Sequence, residues 1–210
     1  MKIGVIGCGS IGSAIARHWA NAGHDLIVSA KHLDHAEKIA NKLRRRATVS
    51  TPEQAAKEGE VILLSIPLGE IPLLSKSVKN ALRGKVVIDT SNPYPERDGE
   101  AADEVIESHL GTGIWTAEQI PGARIVRAFS SVHAEVFETQ AHRKEDPIGV
   151  PIASDDAQAI EVVVQLIHDA GFEAIVLGGL KEARRFDPGT ETYGSDLGAK
   201  KLREKFGEVA

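Results

Sequence analysis

The residues with the sharpest chemical meaning open the chain: Gly7-Cys8-Gly9-Ser10-Ile11-Gly12. Glycines spaced two and then three apart suit a turn that must be tight, open and close-packed at once. Gly7 lets the chain leave a strand sharply, Gly9 lets the backbone approach a pyrophosphate, and Gly12 lets a helix lie close to a sheet. The apolar run Ile3–Ile6 precedes the turn, and an amphipathic stretch, Ser10–Ala22, follows it up to the stop at Gly23. In that frame the free N–H groups of the helix start, from Ser10 and Ile11 onward, face an anion together with the positive end of the helix dipole. The predicted chemistry is the binding of a dinucleotide's phosphates. A glycine turn that holds no nucleotide is the blander reading of the same letters.

The end of the second strand bears on which dinucleotide. It reads Ile27-Val28-Ser29-Ala30-Lys31-His32, with Asp25 at the far end of the strand and Asp34 several residues late. A carboxylate at the strand end would bond the ribose hydroxyls of NAD and repel a 2′-phosphate. Its absence, with Lys31 offering positive charge, favours NADP, although Lys31 also reads as an ordinary solvated lysine. His32 and His35 are three apart with no third ligand beside them, so no metal site is predicted. Cys8, the one cysteine, stands where a helix start lowers a thiol pKa; it also reads as a small residue in a tight loop. His133 follows a strand end and is the one side chain placed to act as a general acid. A pocket-edge histidine without a catalytic role fits the same position, and no residue is assigned a catalytic role. Asn92, before Pro93, suits either a ligand contact or a plain turn.

These residues need elements to hold them. Ile3–Ile6, Leu26–Val28, Val61–Ile66 and Lys85–Ile88 scarcely alternate and read as strands buried on both faces. Arg124–Phe129, Ile148–Ala153 and Phe172–Leu177 are further strands, with Ala47–Ser50 a short edge. Helical spacing recurs over Ser10–Ala22, Leu33–Arg45, Pro52–Glu58, Glu70–Leu82, Ala101–His109, Ala134–Gln140 and Asp155–Ala170. Thr51-Pro52 and Ser154-Asp155 read as helix starts. Asn92–Gly99 reads as an irregular ligand loop after a strand. Alternating strands and helices predict an α/β fold, a Rossmann-like doubly wound parallel sheet with a small C-terminal α/β extension. Residues 1–145 form the nucleotide-binding domain in this reading, and residues 146–210 a strand–helix extension that closes the substrate pocket and is continuous with it.

Composition removes other classes. A net charge of −5 and 4% aromatic residues argue against a nucleic-acid binder. The longest apolar stretch, Val61–Leu68, contains Ser65 and Pro67 and is far short of a membrane span. The opening MKIGVIGCGS lacks the pattern of a signal peptide. With a single cysteine this fits a cytoplasmic protein.

Further segments carry a resemblance: MKIGVIGCGSIGSAIA, the SAKH strand end, Leu64-Ser65-Ile66-Pro67, Val87 to Pro93, Arg127-Ala128-Phe129, and Leu177 to Leu180 with Ala183-Arg184. In this order they resemble the NADP oxidoreductases that depend on coenzyme F420, over nearly the whole chain to about Arg185. The resemblance implies hydride transfer between NADP(H) and a deazaflavin or similar small-molecule redox co-substrate, by direct passage between stacked rings. It places pyrophosphate and ribose over Cys8 to Gly12 and the 2′-phosphate near Ala30, Lys31 and His35. The nicotinamide falls between Ser65-Ile66-Pro67 and the backbone near Ala134, with Asn92 and Pro93 completing the cofactor-binding set. Homodimers are the family habit. Rival functions are a reductase of a small imine or carbonyl substrate and a non-catalytic NADP-sensing module. Lys31 stands where members often carry Arg and His35 where Lys is expected, which softens phosphate binding. Ser130 stands where many relatives have Asn, so the pocket floor differs.

Overall fold

The computed structural model describes residues 1–207; the last three residues of the predicted extension, and the side chain of Arg44, lie outside the described residues. One sheet of eight strands carries the chain: β1 Lys2–Ile6, β2 Asp25–Ser29, β3 Ala47–Val49, β4 Val61–Leu64, β5 Val86–Asp89, β6 Arg124–Arg127, β7 Gly149–Ala153 and β8 Glu173–Gly178. Their order is β3-β2-β1-β4-β5-β6-β7-β8. The order reverses beside β1, between β2 and β4, where a doubly wound sheet opens a ligand crevice. The helices are α1 Ser10–Asn21, α2 Leu33–Leu43, α3 Pro52–Glu58, α4 Lys76–Leu82, α5 Pro95–Asp98, α6 Glu100–Ser108, α7 Thr112–Gln119, α8 Ala134–Thr139, α9 Ala157–Asp169 and α10 Ala199–Lys205. Among the described residues, no helix is long and apolar enough to cross a membrane.

The two-faced burial of the strands follows from their composition. Ile3, Val5, Leu26, Val28, Val61, Leu63, Val86 and Ile88 feed one core, with Trp19 of α1 and Val163 and Leu166 of α9. Their neighbours Ile6, Ile27, Ile62, Leu64 and Val87 feed the other, with Val78 and Leu82 of α4, Val105 of α6 and Trp115 of α7. Burying each such side chain contributes roughly 1.5–3 kcal/mol. Trp19 is enclosed completely and its indole N–H donates to the Leu166 carbonyl at 2.7 Å, tying α1 to α9.

Several predicted boundaries move. The fourth strand ends at Leu64 and the sixth at Arg127, because Ser65–Ile66 and Ala128–Phe129 turn away into loops. Glu70–Leu82 is not one helix: a short 3-10 turn at Leu68–Glu70 is followed, after Pro72, by α4, whose start is capped by Ser75. The α9 cap is Asp156, which accepts the Ala159 N–H, and not Ser154-Asp155. The Asn92–Gly99 loop contains the one-turn helix α5. The largest departure is direction. β7 pairs antiparallel with β6, although β7 and β8 are parallel to each other. The connection between β6 and β7 carries the six-residue α8, which packs on α1, and brings the chain back beside the end of β6.

Candidate functional site

The three glycines of the first turn sit as their spacing requires. Gly7 has φ +106°, and a β-carbon there would meet the Ser65 carbonyl oxygen at 2.1 Å. A β-carbon on Gly12 would meet the Gly7 carbonyl oxygen at the same 2.1 Å, so α1 lies against the turn itself. Gly9 is different: a β-carbon would meet nothing within 4 Å, because it faces a cavity. Gly9 also begins α1 without any side-chain cap, leaving the first N–H groups of the helix for a ligand. This cradle fits a pyrophosphate. Cys8 is buried with its sulfur toward the Ser29 carbonyl at 3.5 Å. Burial pushes its thiol up to about 11, opposite to the shift that a helix start alone would give. Only its backbone faces the turn's task.

Two cavities meet at this turn and share Ile66 and Pro67. One, of about 530 Å³, is mainly apolar and lies by the ends of β1 and β2, with Gly7, Ala30 and Lys31 on one side and Leu73, Leu74 and Val78 on the other. The second, of about 390 Å³, runs from Gly9, Ser10 and Ile11 past Ser65 to Asn92, His133 and Ala134. The fold therefore brings most of the predicted cofactor residues onto these two adjoining cavities. Cys8, Gly12, His35 and Pro93 line neither cavity. His35 stands on the exposed first turn of α2, 3.8 Å from the Asp34 carboxylate, and Pro93 is buried behind the Asn92 turn.

Sequence reasoning missed a carboxylate at the second strand's end. Glu70, from the turn after β4, reaches Lys31 at 3.0 Å. It is distant in sequence, so the letters around Lys31 do not disclose it.

Behind the polar cavity lies a buried ionic cluster; its segments Arg127-Ala128-Phe129 and Asn92 were marked in the sequence, but the role of Arg127 was not. Arg127 at the end of β6 is fully buried and donates to Asp89 Oδ2 at 3.1 Å, to Asp187 Oδ1 at 2.9 Å and to Asn92 Oδ1 at 3.3 Å. Burial opposes its charge, but Asp89 and Asp187 outweigh it and push its pKa above the usual arginine value. Asn92, so oriented, donates through Nδ2 to the Ser130 carbonyl at 2.8 Å and to the Tyr193 hydroxyl at 3.4 Å. Tyr193 in turn bonds the Tyr94 hydroxyl, and the His133 ring stands edge-on to Tyr193, centroids 6.3 Å apart. Burial first, then the Tyr94 hydroxyl, pushes the Tyr193 phenol up, so it stays protonated. Arg97 caps the Tyr94 ring at 4.7 Å and holds the Asn92 carbonyl at 2.9 Å. Phe129 takes a left-handed φ of +59°, a conformation that costs about 1–2 kcal/mol off glycine. Packing of its ring against Trp19 and Phe137 holds it there and turns Ser130 toward the cavity.

Strand order, glycine turn and crevice together define a Rossmann-type protein built to take a dinucleotide. Residues 2–93 match the family model described as NADP oxidoreductase, coenzyme F420-dependent. The F420-dependent NADP reductase of Methanothermobacter thermautotrophicus is 30% identical over 198 residues, covering 88% of this chain and 84% of that protein. A hypothetical protein of Sinorhizobium meliloti superposes with a TM-score of 0.79 at 23% identity, over 94% of this chain and 95% of its own. An imine reductase from Myxococcus stipitatus, solved in complex with NADP+, gives 0.63 at 18% identity, over 88% of this chain and 57% of its own. The two solved structures share the fold. The chain belongs to the F420-dependent NADP reductase family, a family of oxidoreductases.

Proposed function

We propose that this protein passes a hydride between the nicotinamide of NADP(H) and a deazaflavin of the coenzyme F420 type. The observation that carries this is the joined pair of cavities at the glycine turn. The apolar one suits the adenosine end, with the 2′-phosphate toward Ala30 and Lys31. Gly9, Ser10 and Ile11 hold the pyrophosphate, and the nicotinamide lies between Ser65-Ile66-Pro67 and Ala134. The rest of the polar cavity then receives the second ring. Bound NADPH supplies the hydride; the chain's own residues bind, orient the rings and exclude water. Neither a nucleophile nor an obligatory acid–base pair is required. Residues 1–145 serve as the nucleotide-binding part and the segment from 146 closes the acceptor pocket, supported by Asp187 and Tyr193 reaching back to Arg127 and Asn92. A homodimer working in the cytoplasm completes the proposal.

His133, which lines the polar cavity, favours a second reading: reduction of a small imine or carbonyl with His133 as the acid. Stopped-flow absorbance separates the readings. Loss of deazaflavin absorbance in step with NADPH, with His133→Ala changing kcat only modestly, supports deazaflavin reduction. Turnover of an imine or carbonyl alone, with His133→Ala losing on the order of a thousandfold in kcat at unchanged KM, establishes the second reading. Tight NADPH binding with no acceptor turned over marks a binding module.

A further inference from the structure

We propose that the hydroxyls of Ser130 and Tyr193 form the edge that recognises the second substrate and sets which acceptor the protein takes. This deepens the reading of the polar cavity as the acceptor site and rests on it. Ser130 is only 5% exposed, lines the cavity, and its hydroxyl has no protein hydrogen-bond partner. An unpaired hydroxyl in a buried position costs free energy, so a ligand that bonds it recovers that cost on binding. Tyr193 stands beside it: one Asn92 nitrogen serves both the Ser130 carbonyl and the Tyr193 hydroxyl. The buried Arg127 fixes that amide in turn by donating to its oxygen, Asn92 Oδ1. Two prepositioned hydroxyls, each able to donate and to accept, match a planar ring whose rim alternates carbonyl oxygens and N–H groups. They offer no countercharge for a carboxylate or phosphate, and Arg97, which also lines the cavity, is engaged by the Asp98 carboxylate, the Asn92 carbonyl and the Tyr94 ring. The ligand class is therefore a neutral pyrimidinedione-like rim, as on deazaflavins and flavins. Tyr193 lies 101 residues beyond Asn92, so the C-terminal segment contributes to acceptor choice beside Ser130 of the nucleotide-binding part.

The test uses the full chain and titration calorimetry with F420 and with FMN, alongside NADPH and thermal melting, for the unaltered protein, Ser130→Ala and Tyr193→Phe. Each substitution is expected to weaken the ring that binds by about tenfold and NADPH by less than about twofold. Ser130→Ala should melt no lower than the unaltered protein, because it removes a hydroxyl that has no partner; a merely structural serine would lower melting and leave ring affinity alone. Ring affinity unchanged in both variants, or NADPH affinity falling in parallel with it, overturns the assignment. Neither ring binding to the unaltered protein overturns it as well. F420 bound and weakened by both substitutions, yet never reduced by NADPH, supports the assignment while overturning the hydride-transfer reading.

Discussion

Glu70 Oε1 lies 3.0 Å from Lys31 Nζ, bridging the two sides of the apolar cavity and occupying the cation that the proposed reading gives to a 2′-phosphate. The lysine is 74% exposed, so the pair is weak, worth at most about 1 kcal/mol. An incoming phosphate must nevertheless displace the carboxylate. A charge-assisted bond from Lys31 to phosphate contributes about 1.5–3 kcal/mol, so Lys31→Ala should lose about ten- to a hundredfold in NADPH affinity and little in NADH affinity. Glu70→Gln should tighten NADPH by about two- to fivefold, since the competitor is gone. Ala30→Asp should reverse the preference. Paired titrations with NADPH and NADH decide this, and a Glu70→Gln variant that binds NADPH more weakly would remove the competition from the account.

Gly9 and Gly12 make opposite predictions from one turn. A β-carbon at Gly9 meets no protein atom within 4 Å, and its φ of −72° suits any residue, so Gly9→Val should fold and melt normally. Its branches would fill the pyrophosphate's space and lower NADPH affinity by about an order of magnitude or more. A β-carbon at Gly12 collides with the Gly7 carbonyl, so Gly12→Ala should lose stability by about 1–3 kcal/mol before any ligand is added. Calorimetry with NADPH and thermal melting read the two effects separately. Unchanged NADPH affinity in Gly9→Val would place the nucleotide elsewhere.

How much of this was legible in the letters depends on whether a feature is local. The central strands were readable because runs such as Ile3–Ile6 or Val61–Leu64 must bury both faces, whereas the edge strands β3 and β8, partly exposed, were read from short apolar runs between turns. The glycine turn was readable because each of its constraints falls within six residues and the Ser65 loop. The direction of β7 was not, since periodicity carries no arrow and a connection with one short helix is compatible with either direction. Glu70 beside Lys31, and Tyr193 beside Asn92, join segments 39 and 101 residues apart. No pattern near either partner announces them. The helix α10 and the turn at Leu180–Arg185 escaped for a related reason: Ala183, Ala199 and Leu202 serve a small third core around Phe186 and Phe206, while Leu180 reaches the core that holds Trp115.

Acid should loosen the later half of the sheet first at α9. Asp156 caps that helix through the Ala159 N–H and takes Arg124 of β6 at 2.6 and 2.9 Å. Arg124 above all, then the Ala159 N–H, hold the carboxyl well below its usual range. A carboxyl depressed in the folded state contributes stability above its unfolded pKa, near 4, and that contribution is lost as pH falls below it. Asp156→Asn keeps a capping oxygen but has no charge to lose, so its stability should fall less steeply with acid than that of the unaltered protein. Asp156→Ala should cost about 1 kcal/mol at neutral pH through the missing cap. Urea midpoints at pH 7 and across pH 2–5 measure both. Parallel pH profiles for Asp156→Asn and the unaltered protein would exclude this source of acid sensitivity.

Arg127 carries the heaviest structural consequence. Its guanidinium is wholly enclosed and joins Asp89 of β5, Asp187 of the C-terminal segment and the Asn92 turn. Asp187 in turn accepts the Thr112 N–H at the start of α7 at 2.9 Å, and Asp89 accepts the Thr116 hydroxyl at 2.8 Å. Removing one partner of a buried ionic group leaves the others uncompensated, which costs about 3–5 kcal/mol. Arg127→Met keeps most of the volume and isolates that loss, so its urea midpoint should drop sharply, whereas Arg124→Ala at the half-exposed Asp156 pair should cost about 1 kcal/mol or less. Arg127→Lys should recover only part of the stability, because one ammonium cannot span the acceptors that the planar fork reaches. Since Asn92 loses its anchor in both variants, acceptor KM should rise in whichever of them remains folded, while NADPH affinity holds. An Arg127→Met protein as stable as the unaltered one, with unchanged acceptor KM, would show that the cluster neither holds the C-terminal segment in place nor orients Tyr193.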